Sequence, residues 1–404
     1  MIIGIIGGGA SGMAAALAAA ENKENQVFLF ERQARLGRKL LATGNGRCNL
    51  SNLHANIRGY HGQCPAFVAP ALESRNVART LEWFHGLGLH TVSEGSGRVY
   101  PYSDQANSVV DVLRFALEKE NITVLTGREV SRVRKTGEGF RIQSGDDSWS
   151  CDRLVIACGG LAGTKLGGSM SGYQLLRSFG HRVTKLRPAL VQIKSSWSGC
   201  VSLKGVRANC RSRMERDGVL FAQSTGELQF TEYGLSGPVI FEISRDVCQG
   251  GGDWRCVLDF LPDEGEEALM AELRCRAARP LPSEELLTGM LHNRLGRVLM
   301  AAVGVRGNRL CRDLTEEELT GVCRAVKAFE VVLTEPLGMD SAQVTAGGVM
   351  TEEFCPETLQ SRLVPGLYAC GEVLDVDGDC GGYNLQWAWS SGYLAGKSAG
   401  GEEI

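Results

Sequence analysis

No run of eighteen apolar residues occurs in this 404-residue sequence, so it offers no candidate membrane span. An excess of one charge is also lacking: 43 basic against 46 acidic side chains leave a formal net charge of −3. That balance gives no electrostatic footprint for nucleic acid or an anionic membrane, and neither is expected as a partner. The opening MIIGIIGGGASGMAAALAAA has no basic stretch, and glycines stand where a secretory leader would be continuously apolar. A cytoplasmic protein acting on a small molecule is the expectation. Fourteen cysteines are present, yet no two are spaced as C-x-x-C. Tight zinc or iron–sulfur clusters are thereby excluded, no metal site is expected, and reduced thiols packed in the core are.

What the chain does contain begins at its first residues. Met1 to Ile6 is an apolar run suited to a buried parallel strand, GGGASG turns the chain, MAAALAAAENK reads as a helix, and QVFLFE as a second strand. Within that turn Gly7, Gly9 and Gly12 spell G-x-G-x-x-G, with Ala10 and Ser11 between the last two. The first glycine permits a tight turn, the second lets backbone approach a pyrophosphate, and the third allows the helix to pack on the strand. Glu31 ends the second strand, where an acid accepts from a ribose hydroxyl. The motif predicts a dinucleotide; it does not separate NAD from FAD.

Three later stretches favour FAD. LVIACGG ends a strand in Cys158, Gly159 and Gly160, GLYACGE repeats the pattern and adds Gly371 and Glu372, and GGYNLQWAWSSG opens a helix on glycines. FAD is long, so its site draws on both ends of a chain, whereas a nicotinamide site is complete within one βαβαβ half. Between these stretches the texture changes twice. RANCRSRMERDGVLFA and TGELQFTEYG alternate as antiparallel strands do. EEALMAELRCRAA and the capped TEEELTGVCRAVKAF (capping box Thr315 to Glu318) have helical spacing. The expected organisation is an α/β fold: a Rossmann-like FAD domain in two parts, 1–190 and 336–404, interrupted by a β-rich insert over 191–262 and a helical insert over 263–335. GVRGNR, within the helical insert, has neither the preceding strand nor the following acid of a second dinucleotide motif.

The stretches GGGASGMAAA, ERQARLGRKLLATGNGRCNLSN, GRVYPYSDQANSVVDVL, LVIACGG, GELQFTEYGLSGPVIFEIS and GLYACGEVLDVDGDCGGYNLQWAWSSG together resemble one bacterial family over nearly the whole chain. These are the NAD(P)/FAD-dependent oxidoreductases of glutathione-reductase-type FAD fold that include 3-dehydro-bile-acid Δ4,6-reductase and aminoacetone oxidase. The resemblance implies a β-barrel-like insert and a helical one. It also explains the polar loop TGNGRCNLSN, which would run beside the pyrophosphate toward the isoalloxazine ring. There Arg38, Lys39 and Arg47 would offer charge, Thr43, Asn45 and Asn49 hydrogen bonds, and Gly44 and Gly46 close approach, with Cys48 alongside. Glu372 would hold the ribityl chain, and the turn Gly382, Tyr383, Asn384, Leu385, Gln386 would face the flavin N1/O2 edge. Arg32 and Val130 complete the expected cofactor contacts. Disulfide reductases of this fold carry C-x-x-x-x-C in the loop, and this chain has Cys48 alone, so dithiol chemistry is not expected.

For the reacting end, Tyr383 is the first candidate to assist a proton transfer, and Arg47 could polarise a carbonyl. His54 and His61 follow the loop without the spacing of a metal or triad partner. The leading expectation is reduction of a C=C bond conjugated to a ketone, in a steroid or bile-acid-like substrate, with NAD(P)H as the transient donor. An amine oxidase of the aminoacetone oxidase type, and a non-catalytic flavin-binding sensor, stay open beside it.

Overall fold

The computed structural model describes residues 1–248, 250, 253–305, 307 and 309–402; Arg306 and Asn308 of the GVRGNR motif thus lie outside the described residues. Two compact units emerge, one made of Met1–Arg187 and Gln343–Ile404, the other of Pro188–Ala342.

The first unit is built on a parallel sheet. Its strands are β1 (Ile2–Ile6), β2 (Gln26–Glu31), β3 (Ile122–Thr126), β4 (Arg153–Ile156) and β5 (Leu367–Ala369), in the order β5-β4-β1-β2-β3. Ile5 of β1 sits between Leu29 of β2 and Val155 of β4, and all three are fully buried, as a sheet covered on both faces requires. Helix α1 (Ala10–Ala19) follows β1 and ends before the Glu21–Lys23 segment, which is turn. Nine of its ten residues, Ser11 to Ala19, are buried, the condition of a helix that is apolar or small all round. What covers it is α2 (Tyr383–Ala399). A Cβ added at Gly392 would lie 2.3 Å from the Ser11 carbonyl oxygen, and one at Gly396 2.3 Å from that of Ala15. The two backbones therefore approach closer than any side chain would permit. An antiparallel meander, Arg132–Thr136, Gly139–Ser144 and Asp147–Cys151, precedes β4 as its sequence texture predicts.

The second unit is a closed six-stranded barrel with helices. Around the barrel run Ile193–Ser195, Gly234–Ser236, Val219–Phe230, Arg207–Arg216, Trp254–Asp259 and Phe329–Pro336, and the last pairs back with the first. The closing strand comes after the helices Glu266–Ala277, Asn293–Ala302 and Glu316–Lys327. The stretch 263–335 therefore ends in a barrel strand and is not helical throughout. Leu228, Phe230, Cys256, Leu258, Leu269, Leu299 and Val326 share one buried apolar cluster. At the start of Glu316–Lys327 the capping box forms: the Thr315 hydroxyl accepts from the Glu318 N–H at 3.2 Å, and Glu318 accepts from the Thr315 N–H at 2.9 Å. All fourteen cysteines are free thiols. Among the described residues no helix is long and apolar enough to cross a membrane.

Candidate functional site

In an open parallel sheet, ligands settle beyond the carboxyl ends of the strands, and there the first unit gathers most of the expected residues. Gly7 leaves β1 at φ +113°, and a Cβ on Gly12 would fall 1.7 Å from the Gly7 carbonyl oxygen. The turn is so tight that both positions exclude any side chain. Gly9 differs: nothing lies within 4 Å of the place a Cβ would take. It is the N-cap of α1, no side chain caps that end, and the first turn holds no acid. The open donors and the positive end of the helix dipole thus face unfilled space at Gly9, as a pyrophosphate needs.

Glu31 stands at the end of β2. Its carboxylate accepts from the Gly8 N–H at 2.8 Å and from the Gln33 N–H at 2.7 Å, one bond to each oxygen. Both oxygens keep a second lone pair for a ribose hydroxyl. Gly8, an x of the motif, is a contact that spacing alone could not find. Arg32 donates to the Gly167 carbonyl at 2.8 Å, and Arg38 to Gln33 at 2.7 Å. Val130 is buried and lines a cavity of about 540 Å³ with Glu129, Ser171 and Gln174.

A second cluster joins the ends of β4 and β5. Glu372 accepts from Lys39 at 2.8 Å and from the Thr345 N–H at 2.8 Å, and a Cβ on Gly160 would lie 2.4 Å from it. The Thr345 hydroxyl in turn accepts from the Ala162 N–H at 2.8 Å. Lys39, Gly160 and Glu372, remote in sequence, come together here; Thr345 joins them without a sequence signal beyond its place in VTAGG. Gly371, φ +76°, brings the end of β5 against Ser11 of α1. Burial pushes the thiols of Cys158 and Cys370 up to about 12, so neither is a thiolate at neutral pH.

The loop Thr43–Asn49 is held by its own backbone. Asn45 and Cys48 both take left-handed φ, and the Thr43 hydroxyl donates to the Leu40 carbonyl at 2.7 Å. Gly44 packs on Asn49, whereas Gly46 faces open space. Cys48 is fully buried, and burial raises its thiol to about 12. Oriented to suit its neighbours, the Asn49 amide donates to the Ser51 carbonyl and accepts from the Gly382 N–H.

Two expected residues have partners from distant segments. Arg47 pairs with Asp104 and, at 3.0 Å, with Glu94, and lies 4.0 Å above the Tyr100 ring. Two carboxylates thus face the guanidinium that the sequence offers for a substrate carbonyl. Gln386 is fully buried. It accepts from Ser51 at 2.7 Å, and its Nε2, with two hydrogens to give, lies 3.1, 2.9 and 2.9 Å from the Arg75 carbonyl and the Thr80 and Ser390 hydroxyls. Buried at 0% exposure, this amide clamps α2 to its neighbours.

Before α2, Gly381 and Gly382 have φ of +106° and +104°, and no side chain caps the helix. Asn384 reaches back to Gly378, accepting from its N–H at 2.8 Å and donating to its carbonyl at 2.7 Å. Leu385 packs at the edge of the apolar core. Tyr383 donates to the His54 carbonyl at 3.4 Å, and its own carbonyl accepts from the Tyr60 hydroxyl at 3.0 Å. Burial raises the Tyr60 phenol. His61 meets Asp379 at 2.7 Å, a partner 318 residues away that sequence spacing could not supply. Elsewhere in this unit His181 bridges Glu353 and Ser361, each at 2.9 Å. The trio has the composition of a hydrolytic triad, but all three are buried and the Ser361 oxygen already accepts from the Leu363 and Val364 N–H groups at 3.1 and 3.0 Å. It is a pin for that loop.

A glycine-lined turn at an uncapped helix, an acid on β2, and a second pair of strand ends with their own acid and uncapped helix fit FAD along its length. These define a dinucleotide-binding flavoprotein with an inserted barrel. The chain belongs to the family described as HI0933-like protein Rossmann domain, whose model matches residues 1–398, and it is an FAD-dependent oxidoreductase. It is 41% identical, over 98% of both chains, to the 3-dehydro-bile acid delta(4,6)-reductase of Clostridium scindens. It is also 34% identical to the ribosomal RNA dihydrouridine synthase of Escherichia coli, over 97% of this chain and 96% of the other. Among solved structures, 3-ketosteroid delta1-dehydrogenase from Sterolibacterium denitrificans shares the fold, with 11% identity, TM-score 0.51 and 99% of each chain covered.

Proposed function

We propose that the protein reduces a C=C bond conjugated to a ketone, in a steroid or bile-acid-like small molecule, with NAD(P)H as electron donor. The observation that carries this reading is the end-to-end similarity, at 41% identity, to a protein named for reducing such a bond. FAD, when bound, supplies the hydride. The chain's part is to hold and orient. Gly7, Gly9, Gly12 and the α1 N-terminus would take the pyrophosphate, Glu31 the adenosine ribose, Lys39 and Glu372 the ribityl region, and the Gly382–Tyr383 turn the flavin edge. Cys48 and Cys158, kept protonated by burial, supply no thiolate, which fits hydride rather than dithiol chemistry.

A second reading draws on the relatives named ribosomal RNA dihydrouridine synthase. A uracil ring also presents a C=C bond beside a carbonyl, so the same reduction would apply to a base in RNA. The net charge of −3 disfavours it, since RNA binding rests on phosphate neutralisation. The deciding experiment follows the visible spectrum of FAD-loaded protein without oxygen. Bleaching by NADH or NADPH, then recovery of colour on adding a 3-oxo-Δ4 steroid, is the expected result. Recovery with ribosomal RNA and not with the steroid would transfer the function to RNA; bleaching by small amines and recolouring in air would make it an oxidase.

A further inference from the structure

The residues around the start of α2 include an ion pair that the cofactor contacts leave unused. Tyr60 and His61 form a short strand antiparallel to Asp377 and Gly378, with His61 opposite Asp377 and Tyr60 opposite Gly378. This ladder sets the geometry. It places Asp379 one residue past the register, where its backbone N–H donates to the Gly59 carbonyl at 2.9 Å and its carboxylate meets His61 Nε2 at 2.7 Å. Next to the pair, a Cβ on Gly59 would lie 2.3 Å from the Tyr383 ring, so Gly59 is the slot in which that ring rests. Tyr60 and Tyr383 meet edge to face at 5.9 Å. The pair is thus built against the first residue of α2.

The two partners are accessible: the His61 side chain is 34% exposed and that of Asp379 46%. A ring nitrogen facing a carboxylate carries the proton, so Nε2–H points at Asp379 and Nδ1 is turned away. No bond to Nδ1 is present among the described residues. Two further acids stand in the segment. Asp375 is buried and accepts from the Gln63 N–H at 3.3 Å, and Asp377 is buried within the ladder. Asp379 holds Nε2 with its carboxylate; Asp377, opposite His61 in the ladder, and Tyr60 and Tyr383 are the other titratable groups beside it.

We propose that His61, oriented by Asp379, is the proton donor that completes reduction of a conjugated carbonyl compound at the α2 N-terminus. The proposal rests on the reductase reading above. When hydride reaches the β-carbon, the C=C electron pair shifts and the carbonyl π pair moves onto oxygen, giving an enolate. His61 in its imidazolium form gives the Nδ1 proton to that oxygen, becoming neutral imidazole. The enol isomerises to the ketone, solvent returns a proton to His61, and the substrate has gained one hydride and one proton. Asp379 is a positioning residue: it fixes the tautomer and turns Nδ1 outward.

A phenolate mimics the enolate oxygen, so the test reads binding of 4-nitrophenol to the oxidised, FAD-loaded protein by its absorbance. His61→Ala is expected to weaken binding at least tenfold, about 1.4 kcal/mol, with the FAD spectrum and its anaerobic bleaching by NAD(P)H or dithionite unchanged. Imidazole added to H61A restores part of the affinity. Asp379→Asn weakens phenolate binding by a smaller factor and shifts its pH profile, with the melting temperature and FAD affinity unchanged; a merely structural acid would lower the melting temperature and leave phenolate binding as it is. With an enone as oxidant, H61A slows recovery of colour by roughly 10²–10⁴-fold, the range of a general acid. If H61A fails to take up FAD, His61→Gln, which keeps bulk beside Asp379, is read in its place. Equal phenolate affinity in wild type and variant, or none in the wild type, overturns the proposal. Phenolate binding that depends on His61 while no enone is reduced supports the donor site and sinks the reductase reading alone.

Discussion

Glycine is used differently in the two units. In the first, a Cβ at Gly7, Gly12, Gly392 or Gly396 would collide with backbone at 2.3 Å or less. In the second, Gly234 makes such an approach, 2.2 Å from the Ile193 carbonyl oxygen, but a Cβ at Gly218, Gly226, Gly265, Gly289 or Gly304 would meet nothing within 4 Å. One unit uses the missing side chain to bring chains together around a ligand; the other uses it mostly to turn. A motif written in close contacts has fixed spacing and can be read from sequence. An alternation of apolar residues identifies a barrel and leaves its purpose unstated.

The sharpest way to break this contrast is Gly12→Val. With its Cβ aimed at the Gly7 carbonyl, the variant is expected to yield no FAD-loaded protein, seen as loss of flavin absorbance and of a cooperative melt. In the barrel, Phe230→Ala removes a fully buried ring. It should cost about 3–5 kcal/mol, read by denaturant unfolding, with FAD affinity unchanged. Gly9→Ala sharpens the comparison. Its φ of −81° suits alanine and the space is open, so the apo melting temperature should hold while FAD binds about tenfold more weakly, roughly 1.4 kcal/mol. An unchanged FAD titration would remove Gly9 from the cofactor site. Thr315→Ala deletes the helix cap of the second unit and should cost about 1 kcal/mol, with flavin properties untouched. The smallest effect is expected from alkylation. Iodoacetamide at pH 8 should label exposed Cys64 and Cys275 and leave Cys48, whose thiol stays protonated until pH nears 12.

How far the chain could be read follows the same division. Gly7, Gly9, Gly12 and Glu31 were legible because their spacing follows from one βαβ unit. The pairing of Lys39 with Glu372 could be approached only through family resemblance, since the two are 333 residues apart. The partners of Gln386 and Arg47 were not legible, for a physical reason. Residue type gives the hydrogen-bonding capacity of a side chain, but which partners use it depends on distant segments: Thr80, Arg75 and Ser51 for one, Glu94 and Asp104 for the other. The closing barrel strand Phe329–Pro336 was hidden because it lies beyond three helices in a region of helical texture.

The parallel sheet takes β5 and the cover of α1 from residues that follow the entire barrel unit. On a ribosome this imposes a delay. After β4 emerges, the edge that will receive β5 and the face of α1 that will receive α2 stay bare while some two hundred further residues are made, about 10–40 s at roughly 5–20 residues per second. The barrel unit, contiguous in sequence, can fold during that interval. The nascent first half carries an unpaired strand edge and a strip of alanines in water until β5 and α2 arrive.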